Sequence, residues 1–186
     1  MLIVLMILVA LAGIMLALYG NTLGESQEKG ALVTMAQLRE AIIGTPQTPG
    51  FLTDTGALPN TLADLFGRPA MPSTPAQYVG VYDPVMRRGW RGPYILNPTG
   101  KYTVDVGRGF TTAYGIADDT AMLDPWGNPI VLQRHTSIDG TDDSRLVSAG
   151  RDRIIQTNPS GDVTTMTIES CGDDKVVFLL HSDERK

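Results

Sequence analysis

Residues able to do chemistry are few in this chain, and their spacing is unfavourable. His135 and His181 are the only histidines. They lie far apart, with no cysteine or carboxylate spacing of the kind zinc sites use. His181 falls in a polar tail and reads as a solvated side chain. Cys171 is the single cysteine, so no intrachain disulfide can form. With no Cys/His pairing pattern around it, a packing role is expected. The acid pairs Asp118-Asp119 and Asp142-Asp143 stand in turn-like contexts and read as solvated turns rather than acid/base dyads. Gly107-Arg-Gly109 reads as a turn. No G-x-S-x-G elbow, phosphate-binding loop or HExxH helix occurs. These residues predict no catalytic constellation and hence no enzyme.

The elements around them are dominated by one stretch. Residues 1–23, MLIVLMILVALAGIMLALYGNTL, contain no Asp, Glu, Lys, Arg or His, and the first charge is Glu25. As a helix the stretch would be roughly 35 Å long, against about 30 Å for a bilayer core. A cleaved signal peptide has a basic start and a shorter apolar core, so a retained membrane helix is expected. The missing basic flank predicts that a leader has already been lost. Beyond it, Ala31, Met35, Leu38 and Ile42 repeat at helical spacing, with Gln27, Lys29, Gln37, Arg39 and Glu40 largely off that stripe. Gly44 and Pro46 then give a stop. One helix of about 43 residues is expected, apolar all round in its first half and amphipathic in its second. Gly13, Gly20, Gly24 and Gly30 interrupt it, either for close helix packing or to let the segment stretch.

The rest, residues 45–186, is polar and loop-rich, with room for one domain. Residues 45–50 form a linker, and Asn60 or Thr61 caps a short helix ending before Gly67. Short β-rich runs follow at 94–96, 102–106, 130–133, 145–148, 163–168 and 175–180. The continuous Val176-Val-Phe-Leu-Leu180 predicts a strand buried on both faces. The expected fold class is α+β: a long N-terminal helix over residues 1–44 packed on a small antiparallel sheet. The net charge of −5 and pI of about 4.9 exclude a basic nucleic-acid face. The trio Arg87, Arg88 and Arg91 reads as a solvated loop.

The segments also follow a recognisable order. Gly56-Ala-Leu-Pro59 precedes Gly89-Trp-Arg-Gly-Pro-Tyr-Ile95, then Leu123-Asp-Pro-Trp-Gly-Asn-Pro129, Leu146-Val-Ser-Ala-Gly-Arg-Asp152, and Asp173-Asp174 before a final strand. Behind an apolar helix, this order resembles the major pseudopilin of type II secretion and its type IV pilin relatives, over nearly the whole chain. Independently of the resemblance, Asp124-Pro-Trp-Gly-Asn-Pro129 has turn chemistry, and Trp90, Tyr94 and Trp126 are expected to plug the core.

The resemblance implies a structural role. The chain would be a filament subunit, processed by a prepilin peptidase and assembled with like subunits by a polymerising ATPase and a membrane platform. Its helix would pass from the inner membrane into a periplasmic or surface filament. Four departures from the family's pattern stand out, the first being that neither an initial Phe nor a basic leader ending in Gly is seen. Val4 occupies the position of the family's helix glutamate, Asn21 that of its helix-breaking proline, and the loop between Gly109 and Asp119 is longer. A subunit lacking the glutamate suits a filament tip. The resemblance further implies a calcium ion held by Leu146, Ser148, Asp152 and Asp174, with Asp173 replacing Asp174 if the register slips by one. Arg151 and Arg153 flank Asp152, and either guanidinium could neutralise it without a metal. The rival expectation is a monomeric, signal-anchored periplasmic binding domain or enzyme.

Overall fold

The computed structural model describes residues 2–70, 77–136, 140, 142–162, 166 and 169–180. Before Gly24, side chains are described only at Val4 and Met6. Helix α1 runs Leu2–Ile43, 42 residues without a break. Its stripe of Ala31, Met35, Leu38 and Ile42 is fully buried, and the helical repeat is why: each sits one turn beyond the last on one face. Leu32 and Val33, off that face, are exposed. Among the described residues, no helix is long and apolar enough to cross a membrane. The expected apolar span falls, Val4 and Met6 apart, on side chains outside the described ones.

Gly44 ends α1 with φ +93°, a conformation that favours glycine. The linker folds back at once, pairing Gly44 with Pro49, so that Gly50 packs against Ile42 and Gly44. Helix α2 spans Phe51–Thr55. A 3-10 turn at Leu62–Leu65 follows, capped by a reciprocal pair: Thr61 holds the amide of Asp64, and Asp64 holds the amide of Thr61.

Strands β1 (Gly100–Lys101) and β2 (Thr120–Ala121) form one antiparallel pair. Strands β3 (Val131–Gln133), β4 (Arg145–Ser148) and β5 (Lys175–Phe178) form a second sheet in that order, antiparallel throughout. The molecule is thus α+β. Register explains the core. Leu146 lies between Leu132 and Val177, and all three join Met35, Leu38 and Ile42 of α1 in one cluster. One residue on, Val147 lies between Val131 and Val176 on the opposite face, beneath Tyr102, Phe110 and Ala121. Arg39 on α1 closes the open side by donating through Nε to the carbonyls of Phe178 and Leu179, both at 3.0 Å.

Several expectations are corrected. The strands buried along their whole length are β3 and the central β4; β5 is an edge strand and only half-buried. Residues 94–96 form no strand, and 102–106 leads into a 3-10 turn at Val106–Arg108 that Gly109 terminates in the left-handed region. The strand expected over 163–168 falls mostly on residues outside the described ones. Trp90 and Tyr94 do pack against the core, edge-on to each other with centroids 6.3 Å apart. Trp126 does not: it is half-exposed beside Glu28, Arg151, Asp173 and Lys175. Arg91 is more than a solvated charge, because it pairs at 2.9 Å with the buried Asp54.

Candidate functional site

The turn at 124–129 and the long loop between β4 and β5 meet beside α1. Asp124 organises the turn. Its Oδ1 accepts from the amides of Trp126 (3.0 Å) and Asn128 (2.8 Å), the Asx-turn chemistry that makes aspartate favourable there. Its Oδ2 accepts from the Ser148 hydroxyl at 2.7 Å. Asn128 in turn donates to the Gly150 carbonyl at 3.3 Å, tying turn to loop. The turn sits against the helix where Gly30 leaves room: a Cβ there would meet Pro125 at 3.1 Å. Gly24 likewise lies beneath the Arg151 guanidinium. These two helix glycines are therefore used in packing the body onto its own helix.

Two adjacent carboxylates hold the loop. Asp173 Oδ2 accepts from the amides of Arg151 (2.8 Å) and Asp152 (3.1 Å). Asp174 Oδ2 accepts from the amides of Gln156 (2.8 Å) and Thr157 (2.7 Å) and from the Thr157 hydroxyl (2.7 Å). Burial pushes the Asp174 carboxyl above the ordinary aspartate range, against the Thr157 and Gln156 donors that pull it down. The Oδ1 atoms of both Asp173 and Asp174 are buried and accept no hydrogen bond from the described residues. Orphaned buried acceptors of this kind are what a hard cation satisfies.

The other expected calcium ligands have partners already. Asp152 accepts from the Ile154 amide through Oδ1 (2.8 Å) and from the Gln156 side chain through Oδ2 (2.7 Å). Ser148 Oγ serves Asp124. Leu146 stands mid-strand in β4, paired on both sides. The structure therefore brings Ser148, Asp152, Asp173 and Asp174 around one loop, with the two free oxygens on Asp173 and Asp174. Among the described residues neither Arg151 nor Arg153 forms an ion pair with Asp152. The Ile154 amide and the Gln156 side chain meet Asp152 where a flanking arginine could have.

Sequence reasoning missed a second constellation. His135, Asp143 and Asp162 come together with their ligand-capable atoms all within 4.8 Å of one another. Asp143, expected in a solvated turn, is 1% exposed. A signal was present: Asp143 stands as far before β4 as His135 stands after β3, so hairpin pairing makes them neighbours. Cys171 is buried, in keeping with a packing role, and His181 lies outside the described residues. No family model matches the chain, and no curated protein or solved structure matches it either.

Proposed function

We propose that the chain is a structural subunit of a pseudopilus or type IV pilus-like filament, built through α1. The observation that carries this reading is the division of labour along one unbroken helix. From Ala31 onward α1 buries a stripe against its own body. Over residues 1–23 the sequence is charge-free, and Val4 and Met6, the two described side chains there, are exposed apolar groups at 61% and 69%. Apolar side chains left uncovered, as Val4 and Met6 are, gain by burial in lipid or against like helices. The segment order around Gly89–Ile95 and Leu123–Pro129 supports the same reading. Partners of stated kind follow: like subunits, a prepilin peptidase, an assembly ATPase with its membrane platform, and the inner membrane itself.

Calcium belongs to this proposal. Asp173 and Asp174 would offer their orphaned Oδ1 atoms beside the Ser148 end of β4, which the β4–β5 pairing sets opposite Lys175. The ion would neutralise two adjacent carboxylates and clip the loop ahead of β5. Asp152 would have to release Gln156 to join it.

The test is electron microscopy of the full chain purified from membranes, beside its Val4→Glu variant. Filaments, or entry into filaments of a related subunit, are expected. Val4→Glu should change incorporation strongly, because a carboxylate buried among helices is costly unless a neighbour's amine meets it. A chain that stays monomeric in both forms overturns the reading in favour of an anchored binding domain or enzyme.

A further inference from the structure

We propose that His135, Asp143 and Asp162 form a binding site for a zinc-class divalent cation. The β3–β4 pairing continues past the strand ends: the Asp143 amide donates to the His135 carbonyl at 2.9 Å, and Thr136 pairs with Asp142. His135 and Asp143 are therefore directly opposite across the hairpin, and opposite residues share a face. Asp162 arrives from the β4–β5 loop and stands 2.8 Å from His135 Nε2.

The loop is held in place to deliver it. Arg145 is fully buried, and its Nη1 and Nη2 donate to the carbonyls of Gly161 (2.6 Å) and Asn158 (2.5 Å). Its Nε donates to Gln133 Oε1 at 3.0 Å, and Gln133 Nε2 donates to the Thr157 carbonyl at 3.0 Å. Residues 157–161 are thus anchored to the sheet immediately before Asp162. Preorganised ligands of this kind lose little entropy on binding an ion.

The donor set selects the cation. One imidazole nitrogen and two carboxylate oxygens suit zinc, whereas calcium and magnesium favour oxygen alone. Two carboxylates with a neutral imidazole balance a double positive charge. Tetrahedral bonds of about 2.0–2.1 Å set ligand atoms about 3.3 Å apart, so His135 and Asp162 need open by only about half an ångström. The imidazole and Asp162 are 19% and 25% exposed, which leaves a water-accessible side for a fourth ligand.

The test is calorimetric titration of the full chain in detergent micelles with zinc chloride, and with calcium chloride as the control. One zinc per chain is expected, with a higher melting temperature. His135→Gln should weaken zinc by at least the roughly 10–100-fold that losing even an outer-shell partner costs. Asp174→Asn should leave zinc affinity unchanged, separating this site from the calcium proposal. Cobalt(II) added to the wild-type chain gives a readout free of any folding defect in the variants: strong visible bands of a four-coordinate ion are expected. No zinc heat, or the same zinc isotherm in His135→Gln, would overturn the site and leave His135–Asp162 as an ion pair only.

Discussion

Two regions of this molecule are held by opposite means. Where α1 meets the sheet, Met35, Leu38, Ile42, Leu146 and Val177 exclude water and touch one another. Where the loop between β4 and β5 crosses the same sheet, polar groups do the holding: half-buried Asp173 and buried Asp174 grip amides, and buried Arg145 grips carbonyls. The apolar contact is non-directional and tolerates small shifts. The polar one is specific, because each buried donor or acceptor left without a partner costs free energy. The proposed filament role would use both: a body fixed firmly to its helix, and a surface loop whose geometry a bound ion could alter.

The largest expected effect falls on the apolar side. Leu38→Ala should destabilise the fold by about 4 kcal/mol, because Leu38 is fully buried at the helix–sheet contact and truncation leaves a cavity. Leu32→Ala, off that face and exposed, should change thermal stability little. Equal losses at both positions would show that the described face of α1 is not the one that packs.

On the polar side, Asp174→Ala should cost about 3 kcal/mol, since three donors from Gln156 and Thr157 lose their charged acceptor. Combining it with Leu38→Ala sharpens the comparison. The two sites share no hydrogen-bond partner, so denaturant melts should give additive losses. A marked departure from additivity would mean that core and loop are one cooperative unit. Melts with calcium and with chelator extend the same experiment. Calcium should raise the wild-type melting temperature by mass action, and Asp174→Ala should abolish the difference.

A smaller effect, about 2 kcal/mol, is expected for Arg145→Met. Methionine keeps much of the apolar stem but orphans the carbonyls of Asn158 and Gly161 and the Gln133 amide oxygen. Limited proteolysis should then cut first between residues 157 and 162, with α1 and the sheet intact. Cleavage elsewhere first would show that Arg145 holds the sheet rather than the loop.

The same contrast decides what was legible in the sequence. The stripe Ala31, Met35, Leu38 and Ile42 announces itself through period alone, since every member is apolar and local. Strand β4 was legible as a strand but not as the central one. Its ends, Arg145 and Ser148, look like surface residues and are buried because Gln133, two loop carbonyls and Asp124 satisfy them. Val176–Leu180 misled in the opposite sense: it is continuous and apolar, yet lies at the sheet edge against α1. The carboxylate grips were illegible because Asp174 acts on amides at 156 and 157, across a loop whose closure no local pattern encodes. Asp143 read as half of a solvated pair for the same reason, its partner His135 being supplied by hairpin pairing.

The smallest effect tests whether a local polar device behaves as the loop grips do. Asp64 Oδ2 accepts from the amides of Asn60 (2.8 Å) and Thr61 (3.4 Å), closing the cap of the 3-10 turn over the core residues Leu62 and Leu65. Asp64→Ala should cost about 1 kcal/mol, the usual worth of a cap. The pH dependence carries more information than the size. Burial raises the Asp64 carboxyl above its ordinary value; the two amides and Arg134 pull it down, and Asp119 pushes it up. The folded chain therefore holds this proton more tightly than the unfolded chain does. Stability from this group is fully present below the ordinary aspartate value and is lost as pH rises through the raised folded value. Asp64→Asn keeps an acceptor oxygen for the two amides and removes the titration. The melting-temperature gap between wild type and Asp64→Asn should accordingly move in favour of wild type as pH falls through the raised folded value toward the ordinary aspartate value. A gap that moved the other way would mean that the amide bonds outweigh burial at Asp64, and that this cap holds its charge as a surface carboxylate does.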